Sequence, residues 1–176
     1  MDGLRVARMC CQFGADRLKG LVLIDTAPAG IGKDRSKEWV FFSADDADGF
    51  RKWGTQGVLT DRAKFNEEFA RWMVSKPTEN YVKWITRIMN STASGTAALL
   101  NESSAYQDYS QTLRELERKT SLLYYGNPDN IKVVENWAKV NTPSASVKLL
   151  SKHMFFSESA ESFNKDFDHY LATIAP

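Results

Sequence analysis

Two cysteines and two histidines are all that the 176 residues contain of the side chains that most often bind metals or form cross-links. The cysteines, Cys10 and Cys11, are neighbours in a helical-looking segment. Adjacent residues in regular structure are badly placed to bridge each other, so both read as buried thiols. The histidines, His153 and His169, have no spacing that suggests a metal cage, which argues against zinc chemistry. The sequence therefore leads us to expect neither a metal nor a cofactor. An excess of charge of one sign is also lacking: 23 Lys and Arg against 22 Asp and Glu leave +1. Without a basic field to hold a phosphate backbone, nucleic acid is not an expected partner. No apolar run approaches the roughly 20 residues that span a bilayer. The opening Met1-Asp2-Gly3-Leu4-Arg5 does not begin a signal peptide either. The expectation is a soluble, cytoplasmic protein that does not engage a membrane.

What is present is ordinary globular material. A hydrophobic share of 43% against 26% charged excludes disordered and fibrous classes and supports one domain with a real core. Residues 3–14 carry an apolar stripe, Val6, Met9, Cys10 and Phe13, that predicts an amphipathic helix. Gly20-Leu21-Val22-Leu23-Ile24 is a continuous apolar run between turn signals, as expected of a parallel strand buried on both faces. It ends in Asp25-Thr26-Ala27-Pro28. Helix, buried strand and turn with no hairpin signal is the rhythm of a βα protein.

From Ala29 to about Arg118 the pattern changes to helices, with no buried-strand run among them. One helix is expected to carry Phe65, Phe69, Trp72 and Met73. After the breaker Pro77, a second is expected to carry Tyr81, Trp84, Ile85, Ile88 and Met89, all at three- or four-residue spacing. Such aromatic stripes serve first as packing surface, and some of their members can wall an apolar ligand pocket. Two shorter helices, Thr96 to Leu100 and Thr112 to Glu117, complete the insertion.

Two further apolar runs each deliver an ionisable residue. Leu122-Leu123-Tyr124-Tyr125 breaks into Gly126-Asn127-Pro128-Asp129, and Val147-Lys148-Leu149-Leu150 breaks into Ser151-Lys152-His153. Read as parallel strands, they place an acid and a histidine at C-terminal strand ends, where reacting groups collect in open α/β sheets. A helix with Ile131, Val134, Trp137 and Ala138 lies between them. A final helix from Ser157 to Ile174 turns Phe163, Phe167, Tyr170, Leu171 and Ile174 to one face.

Three passages in this order, Leu18 to Pro28, Leu122 to Asp129 and Leu149 to Glu158, with a helical insertion between the first two, resemble the C-terminal part of an α/β-hydrolase. The resemblance implies an α/β fold: a partial hydrolase sheet of about three parallel strands with an inserted helical cap. It divides the chain into a core helix and strand (1–30), the cap (31–118) and the C-terminal core (119–176). It also implies that His153 is the general base and acid, and that Asp129 is the triad acid that holds the imidazole in its useful tautomer. Asp25 is the reserve acid, since some members of the family place theirs at that strand end. Lys152, where the family often has a glycine, and Asp2, where a small residue is usual, depart from the pattern.

The family's nucleophile sits in Gly-x-Ser-x-Gly, and that motif is absent from the sequence. Ser121, Ser151 and Ser157 have nothing to present them as substitutes. The implied function is a truncated serine-type hydrolase for an ester, lactone or similar carbonyl substrate, inactive alone for want of the serine. A non-catalytic binding protein of the same fold is the alternative. The implied partners are a small apolar carbonyl substrate and, through an unpaired sheet edge, a second copy of the chain.

Overall fold

The computed structural model of the chain describes Gly14, Asp16 and residues 18–174. The expected first helix, with Cys10 and Cys11, and the position of Asp2 lie outside the described residues. The apolar run that follows forms β1 (Gly20–Ile24), and it pairs in parallel with β4 (Ser121–Gly126), which pairs in parallel with β5 (Ser146–Leu149). The sheet order is β1-β4-β5. These are the three strands expected from the sequence, within a residue or so at each end.

The two-residue alternation of a strand sorts their side chains onto two faces. Leu21, Leu23, Leu122 and Tyr124 pack on one face with Leu113 and Leu116 of α4 (Ser110–Leu116) and with Val134 and Ala138 of α5 (Ile131–Asn141). Val22, Ile24, Leu123 and Tyr125 pack on the other with Phe163, Phe167 and Tyr170 of α7 (Ala160–Ile174). Both faces of β1 and β4 are covered, which is why these two runs read as continuously apolar, whereas β5 is largely exposed. Each fully buried Leu contributes roughly 1.5–3 kcal/mol through burial alone. The Tyr170 hydroxyl donates to the Ser121 carbonyl at 2.6 Å and ties the last helix to the start of β4.

Between β1 and β4 lies the helical insertion, with one departure from expectation. Its entrance holds a second, two-stranded parallel sheet of β2 (Ala29–Gly32) and β3 (Val40–Ser43). Both strands are four residues long, β2 is half glycine and β3 is only half-buried, so neither carries the buried-strand signature. Trp39, 3% exposed, anchors the connection between them by standing edge-on to Tyr124 (4.9 Å between centroids) and Trp137 (5.2 Å). A helical run over residues 44–60 follows and includes a π-helical stretch, Arg51–Gln56.

The two aromatic helices are α1 (Arg62–Trp72) and α2 (Glu79–Met89). Asp61 caps α1 by accepting from the Lys64 amide, and Thr78, just after Pro77, caps α2 by accepting from the Tyr81 amide. The next helix, α3 (Ser94–Ala105), is longer than the expected segment. The last expected helix is divided into α6 (Phe155–Glu158) and α7, because Ser159 leaves helical geometry at φ −132° and ψ 50°.

Candidate functional site

The C-terminal ends of β1, β4 and β5 converge. The Asp25 amide donates to the Tyr125 carbonyl at 3.0 Å, and the Leu150 amide donates to the Gly126 carbonyl at 2.8 Å, so each strand end is fastened to the next. Asp25 has a φ of 46° and is the one non-glycine residue in the left-handed region among the described residues. Aspartate tolerates that region better than most side chains, and such backbone persists where its surroundings hold it.

The Asp25 carboxylate is held from two sides. Its Oδ1 accepts from the Asn127 carboxamide nitrogen at 2.8 Å, and its Oδ2 lies 3.2 Å from His153 Nδ1. The Asp25 side chain is 6% exposed and that of His153 is 24% exposed. A carboxylate so far out of water needs polar partners, and these two supply them. With Nδ1 facing a carboxylate, the imidazole carries its proton there and leaves the Nε2 lone pair free to take another.

His153 is presented by a tight turn after β5, in which the Phe155 amide donates to the Lys152 carbonyl at 3.0 Å. The helical insertion grips the same turn. The Met154 amide donates to the Met73 carbonyl at 2.9 Å, and Glu158 accepts from the amides of Ser75 (2.8 Å) and Lys76 (3.2 Å). These contacts bring Trp72 to 5.9 Å from the His153 ring, centroid to centroid. An aromatic row continues from Trp72 to Phe69 (5.5 Å) and Phe65 (6.1 Å beyond), and Trp72 is its member beside the histidine.

The histidine expected from the sequence thus stands at the meeting point, but the acid facing it is Asp25. Asp129 lies in the exposed turn after β4, where its amide donates to Asn127 Oδ1 at 2.9 Å, and no hydrogen bond or ion pair joins it to His153. Asn127 is the residue that sequence reasoning missed. Its carboxamide bridges the two turns, bonded to Asp25 through nitrogen and to Asp129 through oxygen. A turn-forming Asn in Gly-Asn-Pro-Asp gives no sign of that role.

Among the described residues no hydroxyl bonds to His153. Ser157 donates to the Met154 carbonyl at 2.8 Å, and Ser151 is exposed. Also among the described residues, no group of three or more His, Cys, Asp or Glu could hold a metal ion. His169 lies on the exposed side of α7.

Neither a protein-family model nor a curated protein matches the chain. Solved structures do. The bromoperoxidase from Bacillus anthracis superposes with a TM-score of 0.79 at 18% identity, over 98% of this chain and 64% of that one. The fold is that of the α/β-hydrolases. A carboxylesterase from the ammonia-oxidizing thaumarchaeon Nitrososphaera gargenis matches this hydrolase fold at 0.67 and 14% identity, over 98% of this chain and 62% of the other. The hydrolase olei00960 from Oleispira antarctica matches at 0.66 and 13% identity, over 90% and 58%. The chain therefore spans about three fifths of the length of these neighbours. No described helix of this α/β-hydrolase fold is long and apolar enough to cross a membrane.

Proposed function

We propose that this chain carries the acid-and-base half of a serine-type hydrolase for an ester, lactone or similar carbonyl substrate. The observation that carries the reading is the 3.2 Å approach of Asp25 Oδ2 to His153 Nδ1 at the C-terminal edge of a parallel sheet. Asp25 holds the imidazole in the Nδ1–H tautomer. Nε2 then takes a proton from an attacking hydroxyl and returns it to the leaving group, while the carboxylate stabilises the imidazolium formed between these steps. Asp129, the acid implied by sequence resemblance, acts in this reading as a turn residue that steadies Asn127.

The helical insertion serves as a cap, with Trp72 beside the histidine and Phe69 and Phe65 continuing the aromatic row away from it. The serine and the oxyanion donors come from polypeptide beyond this sequence, docked along the side of β1 that faces away from β4. Among the described residues β1 is an edge strand with its side chains covered on both faces, and such a strand offers backbone donors and acceptors to an addition of this kind. In its absence the same edge mediates self-association, which light scattering on a sizing column would register.

Two assays with p-nitrophenyl acetate test the reading. The chain alone is expected to give neither burst nor turnover. A chimera that joins it to the part of the Bacillus anthracis bromoperoxidase that it does not span is expected to turn over and to lose that activity on His153→Ala. Turnover by the chain alone that disappears with His153→Ala would refute the need for an external nucleophile. A folded chimera indifferent to His153→Ala would refute the histidine's role.

A further inference from the structure

Lys152 immediately precedes the candidate base, in a turn that the helical insertion holds in place. Its ammonium lies 5.7 Å from the centre of the Trp72 ring, and that ring in turn lies 5.9 Å from His153. Lys152 is only half-exposed, yet no carboxylate lies within ion-pair distance of it among the described residues. Asp25, the acid that faces His153, is already bonded through both oxygens, to Asn127 and to His153. Glu158, on the same loop, is engaged by the Ser75 and Lys76 amides. The cation therefore has an aromatic face as its partner and, among the described residues, no counter-ion, and that same ring stands beside His153.

A cation over a half-exposed indole is held weakly, whereas an ammonium with a carboxylate makes a short, charge-assisted hydrogen bond. An incoming carboxylate can draw Lys152 off the ring, and the ring it leaves can take the ligand's apolar part. We propose that Lys152 and Trp72 together determine specificity, selecting substrates that carry a carboxylate beside an aromatic or aliphatic group at the carbonyl to be attacked. The proposal rests on His153 being the base of the site. It adds that the substrate is anionic, which an apolar wall alone would disfavour.

Equilibrium binding to the 176-residue chain tests this without any nucleophile. The probes are phenylacetate and its neutral isostere phenylacetamide, followed by the indole N–H resonance of Trp72, which Trp72→Phe identifies. Phenylacetate is expected to bind on the order of tenfold more tightly than phenylacetamide, a preference that declines with added salt. Lys152→Met is expected to abolish the preference while leaving phenylacetamide within about twofold, and Lys152→Arg to retain it. Matching thermal melts of the variants guard against a folding artefact. Equal binding of the two probes, no binding of either, or a preference that survives in Lys152→Met would overturn the proposal. Because no turnover is measured, this result is independent of whether the chimera hydrolyses an ester.

Discussion

Asp25 Oδ2 lies 3.2 Å from His153 Nδ1, although 128 positions separate the two residues in the chain. The contact exists because β1 and β5 both run parallel to β4 and end at the same edge of the sheet. Its energetic and chemical consequences are open to direct measurement.

Replacing the acid should matter only at one of the two candidates. In a chimera that hydrolyses p-nitrophenyl acetate, Asp25→Asn is expected to lower kcat by about 10³- to 10⁴-fold, the scale seen when a triad acid is changed to its amide. Asp129→Asn, which alters an exposed turn, is expected to stay within a few-fold. The reverse ranking in steady-state kinetics would transfer the role to Asp129.

Asn127→Ala removes the donor to Asp25 Oδ1 and the acceptor for the Asp129 amide in one step. Hydrogen bonds to a buried charge are worth about 1.5–3 kcal/mol. Urea denaturation is expected to show a loss of that order. A variant within about 0.5 kcal/mol of the parent would mean that water replaces the carboxamide at no cost.

Two glycines offer a steric contrast. A methyl group on Gly30 would fall on the backbone carbonyl of Ala105, in a place where β2 is clamped by the bond from its amide to Gln107. On Gly20 it would meet the tip of the Tyr170 side chain instead. Gly30→Ala is expected to cost about 3 kcal/mol or more and Gly20→Ala about 1–2, because a side-chain end can swing and a carbonyl in a packed segment cannot. Thermal melts of both variants check the ranking.

Tyr124 and Tyr125 are both pushed up to about 12 from an ordinary 10.0, in each case chiefly because burial disfavours the phenolate. A folded value above the unfolded one means that the native state keeps protons that the unfolded state releases. The stability this provides is complete below pH 10 and is lost as the pH rises through 12. Alkaline unfolding in that window, coincident with tyrosinate absorbance, is expected. The Tyr125 hydroxyl is buried without a hydrogen-bond partner among the described residues, so Tyr125→Phe should stabilise the protein by up to about 1 kcal/mol at neutral pH. Destabilisation would point to a partner for that hydroxyl.

The strands and the histidine were legible in the sequence for a physical reason. Residues 20–24 and 122–125 are buried on both faces, so burial wrote itself into continuous apolar runs, and the histidine follows the last strand directly. The acid was not legible to the same degree. Asp25 and Asp129 both follow strands, and the choice between them depends on the left-handed backbone at Asp25 and on a carboxamide that reaches across from the neighbouring turn. Both arise only when the strand ends meet. The small β2–β3 sheet was hidden because its strands are short, glycine-bearing and half-buried. Trp72 was visible as part of a helical stripe, but the bonds of the Met73 carbonyl and of the Ser75 and Lys76 amides to the histidine turn bring it beside His153.

The pairing of His153 with Asp25 is tested most directly by ¹⁵N NMR of the imidazole nitrogens in the chain as it stands, near pH 8. The expected spectrum shows His153 as the Nδ1–H tautomer in the parent and in Asp129→Asn, with that tautomer lost or averaged in Asp25→Asn. A His153 that keeps the Nδ1–H form in Asp25→Asn, or loses it in Asp129→Asn, would contradict the pairing.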